Sequence, residues 1–163
     1  MSTKAGRIKL AADPAPWAAA IGERCPDCEM AKRKPEITMK SFGIYTKWNS
    51  GSKDLPRVYE FTTRVLAEID VEFGFVVNIK GAKNQKLNYC IFHPDIPDAD
   101  GAPRPPFDGT VHVRTNDWDF YLGDTIWEPI HDKLGDWRMT LEMNGRIIAE
   151  KTFELHDDVE GFA

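Results

Sequence analysis

The residue types best suited to chemistry are in Cys25-Pro-Asp-Cys28 and Cys90-Ile-Phe-His93. Three thiolates and one imidazole make a complete tetrahedral set for a structural zinc ion. The spacing of the second pair works against it: if Cys90 lies in a strand, His93 points to the opposite face. Both can reach one ion only if the strand ends or twists there, and Pro94 permits an ending. The other reading makes Cys90 a small buried hydrophobe and leaves Cys25 and Cys28 as a free knuckle. Redox use of Cys-Pro-Asp-Cys calls for a βαβ neighbourhood, which the surrounding pattern lacks. Zinc through Cys25, Cys28, Cys90 and His93 is therefore the one cofactor the sequence offers, against an expectation of none.

Weaker constellations follow. Asp95-Ile-Pro-Asp98-Ala-Asp100-Gly101 sets three carboxylates before a glycine. It lacks the alternating acidic spacing and distal glutamate of a calcium loop, so it reads as an acidic turn. Asn116 to Asp124 and Trp127 mix flat rings with carboxylate and amide groups, a combination that could stack on a sugar or a partner protein. Within it Trp118, Phe120 and Leu122 recur at period two and are expected in the core, leaving Tyr121 and Trp127 as the exposed pair. His112 alternates with Val111 and Val113 and should face solvent. His131 and His156 each sit beside aspartates in polar surroundings. None has a nucleophile-elbow motif nearby, so no enzyme is expected.

The elements that must hold these residues read as strands. Val71, Phe73, Phe75, Val77 and Ile79 give the clearest period of two. Leu87, Tyr89, Ile91 and His93 follow a short loop and are expected to pair with them. Ile37 and Met39 share one parity and Phe42 and Ile44 the other, which predicts a bulge near Ser41 to Gly43. Tyr59, Phe61, Thr63 and Val65 form another alternating run, and Val111 and Val113 mark a further strand. The last hairpin, Gly135 to Leu155, turns at Asn144-Gly145. Trp137, Met139 and Leu141 on one arm and Ile147, Ala149, Phe153 and Leu155 on the other must share a core. A three-residue bulged turn satisfies that, opposing Glu142 to Arg146 and Leu141 to Ile147. Between these strands, Pro94 to Gly109 holds five of the eleven prolines. Loops of that length are uncommon and often functional.

About seven or eight strands without a strong helix predict an antiparallel β-sandwich of immunoglobulin-like type, with an open barrel second. The expected division is an N-terminal tail over 1–35, the sandwich over 36–156 and a C-terminal tail over 157–163. Asp13 to Ile21 could start a short helix in the first tail, with Asp13 as its cap and proline tolerated in the first turn. With 163 residues, 42% hydrophobic and 29% charged, the chain suits one domain plus tails. A net charge of -5 and a pI near 5.4 oppose a polyanionic partner. Lys32-Arg33-Lys34 is a short solvated run. No stretch approaches the ~20 apolar residues of a membrane span, and the first ten residues precede no apolar signal core. A cytoplasmic location with reduced cysteines is the expectation.

Four segments carry a resemblance: Lys40-Ser-Phe-Gly-Ile-Tyr-Thr-Lys-Trp48, Glu72-Phe-Gly-Phe75, Tyr121-Leu-Gly-Asp-Thr-Ile-Trp127, and Gly135-Asp-Trp137 with Ala149-Glu-Lys-Thr-Phe153. Together they resemble the uncharacterised bacterial family DUF3859 over roughly residues 37–155. The resemblance implies a small all-β domain and supplies no catalytic residue. The functional expectation is a non-enzymatic module that binds a protein or other macromolecule through the long loop or a sheet edge. Tyr121, Asp124, Trp127 and Phe107 are its candidate contacts, with a sugar as the other candidate ligand. No nucleic acid or membrane is expected, and a sheet edge could join two copies.

Overall fold

Alternation along the chain is resolved into two five-stranded sheets in the computed structural model, which describes residues 9–12, 34–47 and 54–158. The first sheet runs β1 (Lys9–Ala12), β8 (Asp117–Thr125), β5 (Glu72–Lys80), β2 (Glu36–Tyr45) and β3 (Val58–Glu60). The second runs β4 (Arg64–Leu66), β10 (Arg146–His156), β9 (Gly135–Met143), β6 (Lys86–Phe92) and β7 (Phe107–His112). All pairings are antiparallel except β4 with β10. The sandwich expected from the alternation is therefore what forms. Its additional strands are β1, inside the expected N-terminal tail, and the separate pieces β3 and β4.

The core lies between the sheets. Phe73, Phe75, Val77 and Ile79 of β5 and Trp118, Phe120 and Leu122 of β8 meet Trp137, Met139, Leu141, Phe153 and Leu155. At its centre Phe73 packs edge-on against Trp137 (5.4 Å, 90°) and Phe153 (5.6 Å, 70°). Edge-to-face pairs place a ring's positive edge on another's negative face, a gain beyond simple burial.

Several sequence expectations are corrected. β5 and β6 do not pair: β5 lies between β2 and β8, and β6 between β7 and β9. Both strands bury apolar faces, and the connection through Gly81 and Asn84, each at positive φ, carries the chain across the core. The run Tyr59 to Val65 is not one strand. Thr62 Oγ1 accepts from the Arg64 amide at 3.1 Å and breaks the ladder, so the chain leaves the first sheet and joins the second. Tyr59 and Phe61 stay 77% and 62% exposed.

The final hairpin closes with a two-residue turn. Asn144 (φ 53°) and Gly145 (φ 76°) are both left-handed, Arg146 opposes Met143, and Ile147 opposes Glu142. The parity conflict is solved one step later, by a bulge between Ile147 and Ala149. Beyond it Ala149 opposes Leu141 and Phe153 opposes Trp137, so the apolar sets share the core. Ile147 is left outside at 51% exposure. A similar bulge in β2 falls between Met39 and Ser41, just before the expected place. It sets Lys40 on Asp119 at 2.8 Å.

These positions predict opposite responses. Phe153→Ala should cost about 3–5 kcal/mol, while Ile147→Thr should stay within about 0.5 kcal/mol. Urea unfolding of both variants checks the register.

Candidate functional site

Three connections meet at one end of the sandwich: residues 67–71, 93–106 and 126–134. Between them is a cleft of about 520 Å³, lined among others by Ile69, Ile96, Arg104, Trp127, Glu128 and Lys133. The proline-rich loop forms one wall and is itself a small folded unit. Its tip closes with Asp98 Oδ1 accepting from the amides of Asp100 (2.8 Å) and Ala102 (3.0 Å). That is the work of the acidic turn that loosely resembled a calcium loop. Ile96 is buried beneath it, and Arg104 Nε donates to the Pro97 carbonyl at 3.1 Å.

The loop's two ends converge on His93. Its Nδ1 lies 2.6 Å from the Pro94 carbonyl and its Nε2 3.0 Å from that of Pro105, while the ring packs on Phe107 at 4.6 Å. Both nitrogens thus face acceptors, and a metal would have to displace one of them. Cys90 stands on β6 beside a shallower polar depression of about 390 Å³ with Asp108 and Thr110. Burial, then the Asp108 carboxylate, pushes its thiol pKa up, which opposes thiolate formation. Cys25 and Cys28 lie outside the described residues. Among the described residues no group of three or more His, Cys, Asp or Glu gathers around a common point.

Half-buried Trp127 floors the cleft. Its ring approaches Phe107 and Trp137, each at 6.3 Å, and Lys133 Nζ lies 4.4 Å from its centroid. Sequence reading had placed Trp127 and Phe107 among the contacts, and the fold does bring them together. It missed Lys133, which is 1% exposed. Lys133 Nζ donates to the Pro129 carbonyl at 2.8 Å and sits 2.5 Å from Asp132 Oδ1, close but off-axis for a hydrogen bond. Nothing in the spacing of Asp132-Lys133 signals that burial, because a lysine in a polar connector ordinarily faces water.

Tyr121 and Asp124 are elsewhere and fully buried. The expectation of an exposed Tyr121 is corrected: it does point away from the core, but Tyr45, Val76, Leu55 and Val58 cover that face. Tyr121 lies over Gly123, which has no side chain to obstruct it, and donates to buried Glu72 at 3.2 Å. Asp124 Oδ1 accepts from the Thr125 amide at 2.7 Å. His112 and His131 are exposed, and His156 ends β10.

Residues 33–155 match the sequence profile of the domain of unknown function DUF3859. The chain belongs to that family. Among solved structures, an immunoglobulin-like protein from Pseudomonas aeruginosa is similar at a TM-score of 0.62 and 21% identity, over 77% of this chain and 99% of that one. At that identity the likeness shows the immunoglobulin-like fold alone. A Pseudomonas fluorescens alkylpurine DNA glycosylase bound to abasic-site DNA aligns at a TM-score of 0.32 and 16% identity, over 58% of this chain and 27% of that one, and carries no argument. No curated protein matches the chain. Among the described residues no helix is long and apolar enough to cross a membrane.

Two outcomes follow from this geometry. Lys133→Met strands the Asp132 carboxylate and should cost about 2–4 kcal/mol, while adding Asp132→Asn should recover part of that loss. Denaturant melts of the double-mutant cycle read the coupling. Burial pushes the Tyr45 phenol up to about 12 and raises Tyr121 well above its ordinary value, with the Glu72 charge adding to the burial of Tyr121. A raised phenol pKa means the folded state holds its proton longer. The stability this gives is complete below about pH 10 and is lost as pH rises from there toward about 12. Melting temperature should fall over that window, less steeply in Tyr45→Phe.

Proposed function

We propose that this chain is a non-enzymatic binding module whose end cleft takes an extended segment of a protein partner. The observation that carries the reading is the cleft itself, built beside the proline-rich loop from a half-buried tryptophan and an exposed isoleucine. Ligand sites favour concave surfaces with an apolar floor and a few placed polar groups. With Lys133 and Asp132 paired to each other, the rim presents the carboxylates of Asp70 and Glu128 against the single guanidinium of Arg104. That balance favours a segment carrying an apolar side chain and a cationic group. The loop's own hydrogen bonds hold the wall in place before binding, which lowers the ordering cost of association.

The test uses peptides. Random-sequence peptides displayed on phage and selected on the immobilised full chain should enrich for apolar residues next to Lys or Arg. Ile69→Asp should weaken the enriched peptides at least tenfold with the fold intact by circular dichroism, and Ile147→Thr, away from the cleft, should leave them unchanged. Absence of enrichment, or peptides indifferent to Ile69→Asp, would overturn the reading.

A further inference from the structure

The first sheet has an edge strand that comes from outside the family segment. β1 spans Lys9–Ala12, whereas the match to the family begins at residue 33. Its register on β8 is regular: Lys9 opposes Gly123, Leu10 opposes Leu122, Ala11 opposes Tyr121 and Ala12 opposes Phe120. β8 is otherwise held on its far side by β5 along nine residue pairs, from Glu72 with Thr125 to Lys80 with Asp117. Without β1, the edge of β8 would present a row of unpaired amides and carbonyls, which is the template on which sheets recruit further strands. We infer that the edge of β8 from Phe120 to Gly123 is a strand-acceptor site, occupied by the chain's own Lys9–Ala12 and able to take that same segment from a separate molecule when the resident strand is disengaged.

The magnitudes favour exchange over permanent attachment. Ordering each residue of a strand costs about 1–2 kcal/mol, and four pairings on one side of a strand barely offset that. The resident wins through tethering, since a segment in the same chain meets its site at an effective concentration on the order of millimolar. The tether is long enough: β1 and β2 are three strand spacings apart, roughly 14 Å, and the residues from 13 to 35 can extend several times that distance. Strand addition draws its affinity from main-chain hydrogen bonds, so the incoming segment needs extended backbone and a register more than one specific side chain.

The experiment uses the full chain. In the variant Leu10→Pro with Ala11→Pro, successive amides point to opposite sides, so one of the two prolines must remove a donor facing β8. Hydrogen exchange followed by NMR should show faster exchange at the edge-facing amides of Phe120–Gly123, with β9 and β10 protected as before. A synthetic peptide of residues 5–16, titrated into this variant, should shift those β8 resonances and restore their protection, and should bind the unmodified chain at least tenfold more weakly. Unchanged β8 exchange in the variant overturns the inference. So does a folded variant that ignores the peptide. Loss of protection throughout β9 and β10 would overturn it as well, because β1 would then be part of the cooperative core rather than an exchangeable cover.

Discussion

At the centre of the sandwich the buried indole of Trp137 donates its N–H to the carbonyl of Lys133 at 2.8 Å. An unmet donor there would cost about 1–3 kcal/mol, so this bond ties the core to the connector that precedes β9. Trp137 presents its rings to Phe73 inside and to Trp127 and His93 at the end of the sandwich. Core packing and cleft geometry are therefore one system. A shift of β9 along its axis would move the cleft floor with it.

Two bulges make that system possible. Strands place side chains on alternate faces, so an apolar pattern that changes parity must insert a residue or expose half its set. β2 inserts Lys40 and gains a contact with Asp119. β10 inserts its extra residue next to Ile147 and exposes that isoleucine. In β2 the inserted Lys40 is exposed, in β10 the inserted Ile148 packs against the core beside Ala149, and in both strands the pairing resumes in register beyond the bulge.

Much of this was legible in the sequence because alternation reports burial directly. The strands β2, β5, β8, β9 and β10, the core role of Trp118 and the parity conflict in the last hairpin all follow from period two. Which strands share a sheet did not follow. The side chains of β5 and β6 fit equally well side by side or face to face, and only the packed whole decides. The turn has a related cause: Asn144-Gly145 has the local chemistry of a two-residue turn, and a bulge one pair later restores the parity without lengthening it. Tyr121 was expected outside because its parity is outward. What covers it, Leu55 and Val58, comes from a stretch with no alternation to read. Trp127 stands out in the sequence for a run that mixes rings with carboxylate and amide groups; that its ring lies 6.3 Å from that of Phe107 is a product of tertiary packing.

Lys133 shows what the cleft requires of its frame. A buried ion pair seldom adds net stability over an apolar pair of the same size, because desolvating two charges offsets their attraction. An aliphatic residue would fill the space under Trp127 at less cost. It could not, however, bond the Pro129 carbonyl, hold Asp132 and cover one face of the indole together, as the lysine does through its stem and ammonium group. These three contacts fix the 126–134 connector against the tryptophan. Together they hold the floor of the cleft in one place.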